Sequence, residues 1–272
     1  MITETMMARL ETAGAVPREQ DLYAGTGTDF YERLVGSDRA EIREVLALAR
    51  AAAGPVLDIA AGGGRLTIPL VRSGRQVTAI DLSDDMLSHL RRALPESSTA
   101  ECVVADMRDF SLGRRYGLVI IGATSITLLD RAGRSRLYAS VRRHLAPDGV
   151  FAFTVAGGAA AESLAVSRDQ EITVPGPDGG ESYLFSQQRE EGGAARVVNW
   201  VRVADLADGV EATVLTSRLQ VLDHELLARE LVGAGFAEPV VSPVRTPHGV
   251  DILLLRTTEA ASPEAADDDG SD

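Results

Sequence analysis

Three aspartates stand where an acid can do chemistry. Asp58 lies in the apolar run 56–60, directly before Ala61-Gly62-Gly63-Gly64-Arg65. Asp81 closes the β-branched run 76–82, and Asp106 follows the apolar run 100–105. Glycines after a strand let the backbone approach a ligand, and a helix opening there favours an anionic group such as a carboxylate. Asp58 beside that turn can hold an ammonium. Asp81 can accept both hydroxyls of a ribose, and Asp106 an amino group such as that of adenine. Leu82 and Met86 are spaced to pack on the faces of a flat ring. Each residue also has a plain reading: Asp81 as an anion for the next helix, Asp106 as a loop cap, and Leu82 and Met86 as core.

These groups need elements to carry them. Residues 38–53 have a helical apolar stripe (Ile42, Val45, Leu46, Ala49) that Gly54-Pro55 stops. Strands are expected at 56–60, 76–82, 100–105, 118–121 and 150–155. Helices are expected between them, capped by Ser83 and Asp130. Strands alternating with helices give a parallel sheet covered on both faces, so the fold class is α/β, doubly wound and Rossmann-like. Residues 165–222 show turn signals and no helical period, with strands at 183–188, 195–203 and 211–219, which reads as an inserted antiparallel layer. A helix capped by Asp223 and a hairpin at 240–243 and 250–256 follow. The expected organisation is 1–53 as helical segment and lid, 54–160 as ligand-binding core and 161–222 as the insertion. Residues 223–256 return to the core, and 257–272 form a disordered acidic tail. Residues 1–20 are polar, and the extreme end is expected to be loose.

A dinucleotide loop is the first competitor, but it needs G-x-G-x-x-G. Counted from Ala60 the sixth position is Arg65, and from Gly62 it is Thr67. Neither is small enough for close helix–strand packing. A nicotinamide-dependent oxidoreductase is therefore a remote alternative, beside a purely structural turn.

The runs V-L-D-I-A-A-G-G-G, A-I-D-L-S and V-A-D-M-R-D-F resemble the cofactor motifs of class I S-adenosylmethionine-dependent methyltransferases. H-L-A-P-D-G before the fifth strand and A-G-F after the last helix fit too. The resemblance implies S-adenosyl-L-methionine as cofactor and a seven-stranded sheet. It gives the methionine end to Asp58 and the loop at Ala60, Gly62, Gly64 and Arg65, and the ribose to Asp81. Adenine goes to Asp106 and Met107, beside Ala105, Leu82 and Met86. Gly122 and Ala123 would line the sulfonium side, with Tyr23 in a closing lid. Two departures stand out: Ala60 replaces the usual first glycine, and Gly117 replaces an acid often found at the fourth strand, with consequences for packing only.

The inserted layer resembles that of bacterial natural-product N-methyltransferases, aminosugar N,N-dimethyltransferases above all. Methyltransferases that dimethylate the terminal amine of a ribosomally made peptide have the same look. The aminosugar enzymes carry a histidine after the fourth strand, where this chain has Leu128. The base is then expected from His248 or Tyr31, or from solvent. Thr124, Ser125, Trp200, His224 and Asp251 are candidate acceptor contacts. Tyr31 and Trp200 also read as packing, and His144, His89 and Cys102 as structural. An O-methyltransferase acting on a hydroxyl or carboxylate is the nearer alternative function.

The chain has 272 residues, 45% of them hydrophobic and 4% aromatic, with a net charge of −13. Residues 257–272 hold six acids and no base, leaving −7 on the body. An acidic body argues against nucleic acid, which needs a basic track, and suits a cationic amine. The expected partner is a small-molecule or peptide amine, met by a monomer or homodimer, with no membrane involved. A single cysteine and no signal-like start lead to the expectation of a cytoplasmic enzyme. No histidine, cysteine and acid set has metal-ligand spacing, so no metal is expected.

Overall fold

The computed structural model describes residues 1–36, 38–164, 166–176, 179–246 and 249–261; the side chains of residues 159, 245, 246 and 249–251 lie outside that description. Helix α1 (Glu4–Ala13) is capped by the Thr3 hydroxyl, which accepts the Met6 amide at 3.2 Å. Strand β1 (Val16–Asp21), α2 (Thr26–Val35) and α3 (Ile42–Ala51) follow. Alternation then sets in: β2 (Val56–Ile59), α4 (Thr67–Arg72), β3 (Val77–Asp81), α5 (Asp84–Ala93), β4 (Glu101–Val104) and β5 (Tyr116–Ile121). A 3-10 turn (Ser125–Leu128), α6 (Arg131–His144) and β6 (Leu145–Ala156) complete the first half. Ser83 and Asp130 cap α5 and α6 through their side chains, at 3.2 and 2.7 Å. After α7 (Gly158–Leu164) come β7 (Arg168–Gly176), β8 (Gly179–Arg189), β9 (Ala195–Arg202) and β10 (Glu211–Gln220). The chain returns through α8 (His224–Gly233), capped by Asp223, to β11 (Val240–Thr246) and β12 (Gly249–Thr257).

Seven strands form one sheet in the order β11-β12-β6-β5-β2-β3-β4. Strands β6, β5, β2, β3 and β4 are mutually parallel, and β12 runs antiparallel to both β6 and β11. This is a seven-stranded, Rossmann-like sheet. Strands β2 and β5 are buried along their whole length, as strands between two helical layers must be, and β2 carries Asp58 into that interior. One face packs Leu57, Val119, Phe151 and Phe153 against α6 and α8. The other packs Leu118, Ile120 and Val56 under Val45 and Ala49 of α3. Gly117 has no room for a side chain: a Cβ there would lie 1.5 Å from the Ala53 carbonyl oxygen. The loss of an acid at that position therefore serves close packing.

The remaining strands form a second sheet in the order β1-β10-β9-β8-β7. Here the sequence reading is corrected in three ways. Residues 1–20 are not loose, because α1 packs Met6 and Leu10 under Leu184, Val201 and Val214, and β1 pairs in parallel with β10. The layer also gains β7, whose Arg168–Glu171 stretch is polar and exposed at a sheet edge, so no alternation betrays it. The start of the supposed tail is ordered as well. Thr257 ends β12, the Ala237 amide donates to the Thr258 carbonyl, and Glu259 pairs with Arg142 at 3.1 Å. Residues 262–272 lie outside the described residues.

Candidate active site

The carboxyl ends of β2, β3 and β5 open onto a two-lobed cleft. The smaller lobe, about 260 Å³, is lined by Asp58, Gly64, Arg65, Gly122 and Ala123 among others. The larger, about 550 Å³, is lined by Tyr23, Asp81, Leu82, Met86, Ala105, Asp106, Met107 and Leu128. Tyr31, Ala60, Gly62 and Ser125 border both lobes. Ala60, Ala123, Thr124 and Glu41 all take left-handed backbone angles, φ 52 to 59°, beside this cleft. Such strain in non-glycine residues persists where the surrounding structure imposes it.

Each acid of the cleft has its own environment. Asp58 is 1% exposed and accepts the Thr67 hydroxyl at 2.6 Å. Burial pushes its carboxyl up to about 7, against the Thr67 hydrogen bond and the nearby Arg65. Asp81 accepts the amide of Gly62 at 2.9 Å with one oxygen and that of Ser83 at 2.9 Å with the other, tying the β2 loop to the head of α5. Burial raises its carboxyl despite those bonds. Asp106 is held by the Arg108 guanidinium, two of whose contacts are 2.9 Å, and this holds its carboxyl below the usual range. Tyr23 and Tyr31 meet edge to face with ring centroids 5.1 Å apart, and burial pushes both phenols up.

A family model described as a methyltransferase domain matches residues 56–149. The dTDP-3-amino-3,4,6-trideoxy-α-D-glucopyranose N,N-dimethyltransferase of Streptomyces venezuelae is 30% identical over 196 residues, covering 69% of this chain and 75% of that protein. The chain belongs to the S-adenosylmethionine-dependent methyltransferases. The dTDP-3-amino-3,6-dideoxy-α-D-glucopyranose N,N-dimethyltransferase of Streptomyces fradiae is 34% identical over 142 residues, 51% of this chain and 52% of that one. The glycopeptide N-methyltransferase MtfA, crystallised with S-adenosyl-L-homocysteine, superposes with a TM-score of 0.62 at 30% identity, covering 96% of this methyltransferase and 99% of MtfA. MtfA has also been crystallised with S-adenosyl-L-methionine. The cofactor of this enzyme is S-adenosylmethionine.

The cleft walls bring together every residue that the sequence assigned to the cofactor. The acceptor side is different. Ser125 borders both lobes, but Thr124 lines neither and its amide donates to the Thr154 hydroxyl at 3.4 Å. Trp200 is corrected to a packing residue: its ring lies 4.5 Å from Phe185 and 5.3 Å from Phe30, inside the core of the second sheet. His224 opens α8 and lines neither lobe. His248 and the side chain of Asp251 lie outside the described residues. Tyr31 is in place, but with its phenol pushed up by burial it stays protonated and acts as a donor.

Sequence reasoning missed Glu41. It was one polar position at the start of an expected helix, and periodicity gives such a residue no address. In the fold it is 1% exposed, pairs with Arg65 and accepts the Ala123 amide at 2.8 Å. It thus ties the loops after β2 and β5 to the segment before α3. Its other oxygen is buried without a partner. Glu32 was missed too; its carboxylate packs on Gly63 at the wall of the smaller lobe. Asp85, in the first turn of α5, accepts the Gly25 amide at 2.8 Å and holds the Tyr23 segment over the larger lobe.

Proposed function

We propose that this methyltransferase N-methylates an amine of a natural product, a sugar amine or the terminal amine of a peptide. The observation that carries the reading is the charge of the larger lobe. Beside Asp81 and Asp106, which this reading gives to the cofactor, Asp21, Asp85 and the Arg91-paired Asp84 line it; among the described residues its one lining cation is Arg108, which Asp106 already holds. A cleft of one sign concentrates ligands of the other, here a cationic amine. The substrates named for the two Streptomyces relatives are amino sugars, and MtfA is named for N-methylating a glycopeptide.

The cleft fits the cofactor by a direct test. A Cβ on Gly62 would meet no protein atom within 4 Å, so the space beside this loop is left for a ligand. In this reading the backbone at Ala60, Gly62 and Gly64, with Asp58 and Arg65, would hold the methionine end. Asp81 would take the ribose. Asp106, the Met107 amide, Leu82, Met86 and Ala105 would hold the adenine, and Gly122 and Ala123 would border the sulfonium. When bound, S-adenosylmethionine supplies an electrophilic methyl group. The residues around it contribute proximity and orientation, with Tyr23 and Tyr31 closing the cleft from above.

An amine must shed its proton before it attacks. Leu128 puts an apolar wall where a base would serve, and both tyrosines hold their protons. His248 lies outside the described residues; in this reading water takes the proton, and turnover rises with pH toward the amine's own pKa. The test is to screen S-adenosylhomocysteine release against aminosugar nucleotides, small amines and amine-terminated peptides, and to locate the methyl group. An N-methyl product supports the reading; methylation confined to hydroxyls or carboxylates overturns it.

A further inference from the structure

The sheet β1-β10-β9-β8-β7 turns Val198 and Trp200 toward α2, Tyr23 and Tyr31, and by alternation Arg196 shares that face. Arg196 stands in register with Leu219 on β10 and Arg189 on β8. Its guanidinium is oriented by Gln187. The Gln187 amide is anchored on the carbonyls of Ser163, Leu164 and Val166 at 3.2, 3.4 and 2.7 Å, which leaves its oxygen to accept from Arg196. The Nε of Arg196 is buried without a partner. Among the described residues no carboxylate pairs with it, whereas Arg202 and Arg218 of the same sheet hold Asp205 and Glu190. Its titratable neighbours are the protonated phenol of Tyr23 and a second cation, Arg168, whose guanidinium lies 5.5 Å over the Phe185 ring, with Arg189 opposite it on β8. Burial without a counter-charge pulls the Arg196 guanidinium down to about 10, where it is still protonated at neutral pH.

A half-buried cation held in one orientation with a donor to spare is costly unless a ligand completes it. Its place says which ligand. Tyr23 stands beside Ser217 of β10 and walls the larger lobe, and β10 packs on the turn Ser125–Leu128. Arg196 itself lines neither lobe; it interacts electrostatically with Tyr23, which forms the wall of the larger one.

We infer that Arg196 is the binding site for an anionic group, carboxylate or phosphate, on the methyl acceptor. Resting on the amine reading, this makes the acceptor a zwitterion, its amine drawn to the aspartates and its anion to Arg196. Guanidinium geometry suits either anion, since both accept two parallel hydrogen bonds.

The test uses the full chain loaded with S-adenosylhomocysteine, titrated with inorganic pyrophosphate, with a triglycine bearing a free C-terminus, and with triglycine amide. At least one of the first two should bind the native protein, and the amide should not. Arg196→Met should weaken that binding at least tenfold and Arg196→Lys less, while S-adenosylhomocysteine affinity and melting temperature stay put. Pyrophosphate alone binding points to a phosphorylated acceptor, and the tripeptide alone to a carboxylate. If neither anion binds, or Arg196→Met binds as well as the native protein, the inference falls. An acceptor methylated only on oxygen, yet lost with Arg196→Met, would sink the amine reading and leave the anion site standing.

Discussion

Replacing Asp58 with asparagine should abolish a pH dependence that the native chain carries in its core. Asp58 is 1% exposed, and burial lifts its carboxyl from 3.8 to about 7. A carboxyl raised on folding binds a proton more tightly in the folded chain than in the unfolded one. Its favourable contribution is whole below about pH 4 and is lost as pH climbs through about 7, above which the folded chain buries a charge. Three pKa units at 1.36 kcal/mol each make that loss about 4 kcal/mol. At about 2–4 °C per kcal/mol, it is worth roughly 8–16 °C in melting temperature.

Asparagine keeps an oxygen for the Thr67 hydroxyl and cannot ionise. Its extra amide protons add a cost that is the same at every pH, so the diagnostic is the slope. Thermal unfolding of both proteins from pH 4.5 to 8 should show the native chain losing ground to Asp58→Asn by about 3 kcal/mol across that range, the rest of the loss falling below pH 4.5. The same proton governs the ligand. If the ionised Asp58 faces the methionine ammonium, native affinity for S-adenosylhomocysteine rises up to tenfold per pH unit below about 7 and then levels. In Asp58→Asn it should be weaker and flat. A stability difference that does not change with pH would refute the buried-charge argument. A pH-dependent stability with a flat native affinity would instead place the ammonium elsewhere.

The other expectations concern the cleft walls. Gly62→Val puts its Cβ in open space, so beyond a backbone strain of about 1–2 kcal/mol its effect should be a loss of S-adenosylhomocysteine binding of more than tenfold by calorimetry. Gly117→Ala should do the reverse and yield little folded protein on circular dichroism, since its Cβ would overlap the Ala53 carbonyl. Glu41→Ala leaves Arg65 and the Ala123 amide without their partner, so urea unfolding should report a loss of about 3–5 kcal/mol, with weaker cofactor binding beside it. His248→Ala should leave the pH profile of turnover unchanged if water takes the acceptor's proton; a flattened profile would make His248 the base.

What was legible in the sequence follows from what local pattern encodes. The runs of β2 and β5 are apolar but for Asp58, and Ser83, Asp130 and Asp223 announce their helices by capping, so the parallel sheet and its order of elements could be read directly. The cleft wall was legible for the same reason: Asp58, Gly62 and Asp81 stand where strands end, and strand ends in this fold converge. The acceptor side has no such rule. Trp200 looked like a contact, yet its alternation with Val198 and Leu215 sends it into the packing under the second sheet. Glu41 looked like a surface residue because its role comes from a left-handed turn and from partners 24 and 82 positions away. Arg196 looked like one more arginine on an acidic chain. Only the register of β8, β9 and β10 shows that no carboxylate stands opposite it, and a missing partner is a property of the fold that no run of sequence displays. The cofactor half is thus written in strand ends, while the acceptor half is written in pairings across strands. Acceptor specificity in this enzyme should therefore change through single substitutions on the facing strands while the glycine loop and its aspartates stay fixed.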